Sequence, residues 1–533
     1  MAPKISEAPT QYVPFWRDGR VLGVFGQIGF IILVILAAST IGQNFAGNVD
    51  RLGESQFICR DGTFSYRCAF DFMNSEAGFD ISETVLPYET SDSYWYAFYL
   101  GFLNTLKVGL LGVFFTTIVG TFAGIARLSS NWLVSRLALW YVELMRNLPL
   151  LIVLFIIYFG FLLAAPGLDE AVQPLGLPIY ITNRGLNLPW PVFTSSAAIW
   201  VAFLVLGVIQ YQVLSILLAR REAITGRPSN KVGLGILSFL IVIGIGWFVA
   251  SAVSDTQGIL ATRASRIQEV GDMEQLILNR TGADTLGDVQ ALPAEEIEAA
   301  ALTVCALRDS PSEANFISQM RSIGVPYKVT RFDRPDQASS AYNEGSCEVF
   351  AASKSILAAE RATLESPTAH IITHVTEQPV VLSVPVREGL NLAGGTRLSP
   401  EFSALLLALI FFYGASLAEL VRAGIQSVSK GQSEAARALG LNEGQRLRLI
   451  VLPQALKVVI PPLIGLYLSL IKDTSLGLAV GFSDMYRNSI VTINQSGRAL
   501  QVFILMMLVY LAISMVFSII LNWYNARVVL VER

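Results

Sequence analysis

Eight apolar runs, each long enough to cross a bilayer, constrain this chain of 533 residues more than anything else in it. A helix needs about 20 apolar residues per crossing, because in lipid its backbone polar groups must be satisfied within the segment. The runs fall at residues 21–41, 97–125, 137–163, 197–218, 232–253, 402–421, 458–482 and 502–521. Composition agrees. Hydrophobic residues make up 53% of the chain and charged residues 15%, with a mean hydropathy of +0.54. A soluble protein carries nearer a quarter charged residues. The net charge of −3 says little about partners, and no basic block points to nucleic acid.

Charge then sets the orientation. Arg127 and Arg136 flank one short loop. Arg220, Arg221, Arg227 and Lys231 fill another, and Lys430, Arg437, Arg446, Arg448 and Lys457 crowd a third. With eight spans all three loops share the side of the N-terminus, and the positive-inside rule makes that side the cytoplasm. Both termini are then expected there. The first run follows Arg17 and Arg20 and no A-x-A-like site follows it, so it is expected to stay as an anchor.

The cysteines fit that topology. Cys59 and Cys68 follow the first run, and Cys305 and Cys347 lie in the long segment after the fifth, both on the outer side, where disulfides persist. Disulfides Cys59–Cys68 and Cys305–Cys347 are expected, the first bracketing the turn signal Asp61-Gly62. Neither pair has His or Cys neighbours at ligand spacing. His370 and His374 are four apart, which on a strand is one face, but an isolated pair is more often incidental than a ligand set. No metal or cofactor is expected.

Residues 431–454 read GQSEAARALGLNEGQRLRLIVLPQ between two apolar runs. Ser433 suits an N-cap, Glu434 sits toward the positive helix end, and Gly440 can close a short helix in a left-handed conformation. Ala435, Ala436 and Ala438 favour helix and leave small faces that another protein can approach. Taken alone this is compatible with an ordinary surface helix. However, Glu434, Ala435, Ala436, Gly440, Ile450, Leu452 and Pro453 together resemble the "EAA" signature of ABC importer permeases. In that family the signature forms a cytoplasmic coupling helix that docks in a groove of the ATPase.

The resemblance extends well beyond the loop. Gly101-Phe102-Leu103-Asn104-Thr105-Leu106 resembles the opening of the polar amino-acid permeases, and residues 143–160 (ELMRNLPLLIVLFIIYFG) resemble their second core segment. Residues 397–432 resemble the third, and residues 453–477, with Pro461-Pro462 and Lys472-Asp473-Thr474-Ser475, the fourth. AFDFMNSEAGFDISET, residues 69–84, is similar to the general L-amino-acid permeases, a longer branch with an extra first helix.

Between residues 164 and 395 the chain departs from a minimal permease. It adds two spans and roughly 140 residues outside the membrane, the size of a small domain. TVCAL, YKVTRF, CEVFAA and HIITH alternate with helical stretches at 312–323, 337–343 and 354–363, which reads as an α/β layer. The segment resembles one lobe of a periplasmic amino-acid-binding protein. Such lobes carry a Gly-Thr-Thr run after the first cysteine, where backbone N–H groups hold the ligand carboxylate. Here Asp309-Ser310-Pro311 stands instead, and Ser353 replaces the Asp that would meet the ammonium. The lobe is therefore expected not to bind in that manner, and to serve either in docking or as a structural insertion.

The expected fold is an all-α polytopic membrane protein of about eight helices, a type I ABC importer permease core with a small periplasmic α/β insertion. Its parts are 1–42 (N-terminus and extra helix), 43–96 (periplasmic loop with a cysteine pair), 97–163 (first core part), 164–253 (two extra helices), 254–395 (lobe) and 396–533 (second core part with the coupling loop). The chain has no P-loop, so it is not expected to be an enzyme; ATP and Mg would be bound by a partner. The resemblance implies import of L-amino acids across the bacterial inner membrane, with coupling through Glu434, Ala435, Ala436, Gly440 and Pro453. Implied partners are an ATPase dimer, a second homologous permease chain and a periplasmic amino-acid-binding protein. Pathway candidates are Ser416, Glu419, Lys472, Asp473, Thr474 and Ser475, since charge in a span is costly without a purpose. For Glu419 a salt bridge to Arg422 at helical spacing is the plain alternative. The reading from another class is a membrane sensor that uses the external lobe.

Overall fold

The computed structural model describes residues 66–226, 230–267, 269–388 and 391–528, with scattered positions between 29 and 43. Most of the first apolar run, and Cys59 with its expected link to Cys68, lie outside the described residues. The chain divides into two compact units, residues 1–111 with 423–533, and residues 112–422.

Helix α1 (Tyr94–Ala126) is one unbroken span of 33 residues. The run at 137–163, expected as one span, is instead two helices, α2 (Trp132–Asn147) and α3 (Leu150–Phe155, extended by a π-helical turn to Leu162), bent by 111°. Pro149 causes the break. It forces the residue before it out of helical space, and Leu148 is extended at φ −101°, ψ 140°. α4 (Ala197–Thr225) and α5 (Lys231–Val253) form a hairpin whose outer faces are largely exposed and apolar. Glycines let the two helices touch: Gly207 lies under Phe239, Gly235 under Tyr211 and Gly246 under Phe203.

The inserted lobe follows. Its sheet holds β1 (Gln257–Thr262), β2 (Leu302–Leu307), β3 (Tyr327–Phe332), β4 (Val349–Ser353) and β5 (His370–His374), in the order β3-β2-β4-β1-β5. The first three neighbours run parallel, while β1 is antiparallel to both β4 and β5. Helices α6 (Pro311–Ile323), α7 (Pro335–Asn343) and α8 (Lys354–Thr363) connect the strands where the sequence places them. Alternation divides the strand residues between two cores. Ile259, Val304 and Val349 pack with Phe316 and Met320 on one face. Leu260, Cys305 and Phe350 pack with Tyr342 and Leu357 on the other. The disulfide Cys305–Cys347 spans 42 residues and fastens β2 to the start of β4. The two histidines have separate partners: His370 Nδ1 lies 2.7 Å from the Tyr342 hydroxyl, and His374 Nδ1 2.7 Å from Asp255.

After the lobe come the α-helices α9 (Pro400–Gln426), α10 (Lys430–Ala438), α11 (Glu443–Arg446), α12 (Leu452–Asp473), α13 (Met485–Ser496) and α14 (Ala499–Val528). Among the described residues, six helices are long and apolar enough to cross a membrane, and the bent pair would make a seventh.

Candidate functional site

The segment expected to couple is a pair of short helices at the foot of α12. α10 begins four residues earlier than the sequence suggests, because Ser429 (φ −60°, ψ 139°) takes the N-cap position and Ser433 lies inside the helix. Ser433 accepts a hydrogen bond from Arg446 at 3.0 Å instead. Gly440 ends the helix at φ +81°, the left-handed conformation expected of it. Asn442 then opens α11 with a reciprocal capping box to Gln445. Glu443 holds Arg437 at 2.9 Å and Arg446 at 2.5 Å, so hydrogen bonds from Arg446 and Arg437 hold its carboxyl below the usual range. Ala436 is buried, whereas Glu434 and Ala435 face outward and Leu439, an apolar side chain, is 82% exposed. Pro453 directly follows a π-helical turn, Leu447–Val451, that runs into α12, so its missing N–H falls where the regular hydrogen-bond ladder is already interrupted.

The pathway candidates fall into two groups. Glu419 on α9 pairs with both Arg127, just past the end of α1, and Arg422, one turn on. The plain alternative thus describes its geometry: Glu419 is a tie between helices. Ser416 is half-buried one turn before it. Below these charges the helices close up over glycine, since a Cβ on Gly124 would stand 2.7 Å from the Ala418 carbonyl oxygen.

In the other unit, Lys472 and Ser475 line a cavity of about 440 Å³ with Tyr486, Met506, Tyr510, Leu511 and Ser514. Thr474 is fully buried and donates to the Ile471 carbonyl at 2.8 Å, so its hydroxyl is committed to the helix end. Asp473 has polar partners of its own. Tyr486, Tyr510 and Ser514 were not singled out from the sequence. Neither was Asp484, which caps α13 by accepting from the Arg487 N–H at 2.8 Å.

The motif of residues 101–106 acquires a physical role here. Gly101 admits the first turn of α13, Asn104 donates to the carbonyls of Glu83 and Ser483 at 2.8 and 2.9 Å, and Thr105 accepts the Met485 N–H at 3.1 Å.

Glu377 anchors the lobe to the α4–α5 hairpin. Its carboxylate accepts from Ser195 and the Ser196 N–H before α4, both at 2.7 Å, and from Ser254 and Thr256 after α5 at 2.6 and 2.5 Å. Burial alone would raise this carboxyl; the four hydrogen bonds outweigh burial and bring it to about 2.

The described residues thus form a polytopic helical chain with a short capped helix pair at the foot of one span. Residues 398–530 match the family model described as "Binding-protein-dependent transport system inner membrane component". The general L-amino acid transport system permease protein AapQ of Rhizobium johnstonii is 30% identical over 519 residues, 97% of this chain and 94% of the relative. The glutamate/glutamine/aspartate/asparagine transport system permease protein BztB of Rhodobacter capsulatus is 31% identical, over 87% of this chain and 86% of the relative. The putative amino-acid ABC transporter permease protein YhdX of Escherichia coli is 29% identical over 94% of each. The chain belongs to the amino-acid ABC transporter permeases, in their long form. It is a transport subunit and not an enzyme; ATP hydrolysis takes place in a separate ATPase.

Proposed function

We propose that this chain forms half of the membrane pathway of an importer carrying a broad range of L-amino acids from periplasm to cytoplasm. A second, homologous permease completes the pathway, an ATPase dimer drives it, and a periplasmic amino-acid-binding protein delivers the substrate. Both termini and the α10–α11 pair face the cytoplasm, consistent with the arginines and lysines around them. The observation that carries the coupling reading is the outward face of α10. Glu434, Ala435 and the 82%-exposed Leu439 at the helix C-cap form a small exposed surface beside the Glu443 ion pairs. An exposed leucine beside small residues suits insertion into a partner groove. ATPase closure would move this helix pair and tilt the helices attached to it, switching access from one side to the other. The receptor alternative gains no support from the relatives, which are permeases.

The test is reconstitution in vesicles with the ATPase, partner permease and binding protein. Uptake is expected to require ATP and to persist when ion gradients are collapsed. Leu439→Asp is expected to abolish both uptake and transport-stimulated ATP hydrolysis while the chain keeps its thermal stability. Gradient-dependent uptake, or normal transport by Leu439→Asp, refutes the proposal.

A further inference from the structure

The lobe contains a cavity of about 240 Å³ between α6 and the strands Trp190–Phe193 and Val380–Ser383. A void of that size holds about eight water molecules, or one small organic molecule. One end is acidic. Glu313 is 5% exposed, and Arg331 donates to one of its carboxylate oxygens while the other, Oε2, is buried with no protein partner. Asp309, held at φ +53° just before the Ser310 cap, lines the same end. A buried carboxylate oxygen left unpaired is costly, and a hydrogen-bond donor in the cavity would relieve that cost.

The other end is basic. Glu313, Ile317 and Arg321 follow one another along the cavity side of α6, and eight residues of helix separate the two charges by about 12 Å along the axis. Arg331 is taken up by its pair with Glu313, while Arg321, whose guanidinium donates to the Tyr327 hydroxyl at 3.4 Å, lines the same cavity as Asp309 and Glu313. Between these ends the walls are apolar: Trp190, Val192, Ile317 and Leu382.

We infer that this cavity is a binding site for an extended small zwitterion, an ω-amino acid whose ammonium and carboxylate groups are separated by an alkyl stem. The ammonium meets Glu313 Oε2 and Asp309, the stem lies along Ile317 and Trp190, and the carboxylate reaches Arg321. This reverses the polarity expected from the sequence resemblance, in which the turn at residues 309–311 receives a carboxylate. Asp309, which disqualifies the turn for an anion, suits it to a cation. The inference stands apart from the coupling reading, and its test requires neither ATPase nor transport.

The experiment uses the full chain in lipid nanodiscs and follows tryptophan fluorescence as 6-aminohexanoate is titrated. A saturable change is expected, absent in Trp190→Phe. Hexanoate, which lacks the ammonium, is expected to compete at least tenfold more weakly. Glu313→Gln is expected to weaken binding by tenfold or more. Because that variant also alters the Arg331 pair, Ile317→Trp provides an independent check: it fills the cavity, leaves the pair in place, and is expected to abolish the signal. No saturable response in the unsubstituted chain, equal binding of hexanoate, or unchanged binding in Ile317→Trp overturns the assignment.

Discussion

Arg127 and Glu419 are joined by an ion pair between the end of α1 and the last turns of α9, and Glu419 is shared with Arg422. One carboxylate therefore neutralises two guanidinium groups in a partly buried setting, and the three positions are not equivalent. Arg127→Ala leaves Glu419 paired with Arg422, whereas Glu419→Ala leaves two cations facing each other. Glu419→Ala is expected to cost about 1–3 kcal/mol, between the values for exposed and fully buried pairs. Adding Arg127→Ala is expected to recover part of that loss. Thermal unfolding of the two single variants and the double variant supplies the cycle. If Glu419 instead contacted substrate, its removal would raise the half-saturating amino-acid concentration with little loss of stability, and the second substitution would bring no recovery.

Gly101 is a second position where the sequence motif makes a sharp demand. An added Cβ would lie 2.9 Å from Asn488 Nδ2, the Asp484 carbonyl oxygen and Met485 Cα, and the last two are backbone atoms that cannot swing aside. Gly101→Ala is expected to destabilise the chain by about 1–3 kcal/mol through overpacking. Gly109→Ala on the same helix meets only the side chain of Ile471, at 3.3 Å, and is expected to cost well under half as much. Comparable melting temperatures for the two variants would contradict this account.

What the sequence revealed, and what it concealed, follows from the range of each signal. A bilayer-length apolar run is a local property, so α1, α4, α5, α9 and α14 could be located within a few residues. The lobe strands TVCAL and CEVFAA were equally visible, because two buried sheet faces demand near-continuous apolar residues, and the edge strands YKVTRF and HIITH showed through their β-branched and aromatic residues. The bend between α2 and α3 was visible in Pro149 but was masked by the hydropathy on both sides of it. Ser429 and Ser433 both had the chemistry of an N-cap, and the backbone at Ser429 decided between them. Strand β1 and the strands at 190–193 and 380–383 were missed because they pair across more than a hundred residues. Glu377 left no local signal, since its four partners lie more than a hundred residues before it. The same holds for the cavity at Lys472: its tyrosines on α13 and α14 read as ordinary core aromatics.

The Glu377 clamp should give the lobe a pH dependence with a definite sign. Its carboxyl is held at about 2 when folded, against about 4.3 for a free glutamate, so the ionised form is bound more tightly in the folded state. The stabilisation is fully present above the ordinary glutamate value and is lost as pH falls from about 4 toward about 2. Its size is on the order of 2–3 kcal/mol. Glu377→Gln is expected to remove that dependence and to speed amide hydrogen exchange at residues 195–197 and 254–256, with little change in the β2–β4 core. An unaltered acid transition in the variant would show that the clamp does not hold the lobe.

The clamp also fixes where the lobe can be cut away. Thr256 and Glu377 are within hydrogen-bond reach of each other, 2.5 Å between Oγ1 and the carboxylate, although 120 residues lie between them in the chain. Removing residues 257–376 and bridging the gap with two glycines should therefore leave the α4–α5 hairpin, the clamp and the Trp190–Phe193 pairing with Val380–Ser383 undisturbed. The sheet leaves together with both of its apolar cores, and only the faces of the two retained strands that α6 covers are newly exposed. If the lobe helps a loaded binding protein to land on the permease, the shortened chain should assemble with the ATPase normally. Half-maximal uptake should then require a severalfold higher concentration of binding protein, while the rate at saturation changes little. Unchanged dependence on binding protein would make the lobe a passive insertion. A lower saturating rate with unchanged half-saturation would place its role in the transport cycle and not in docking.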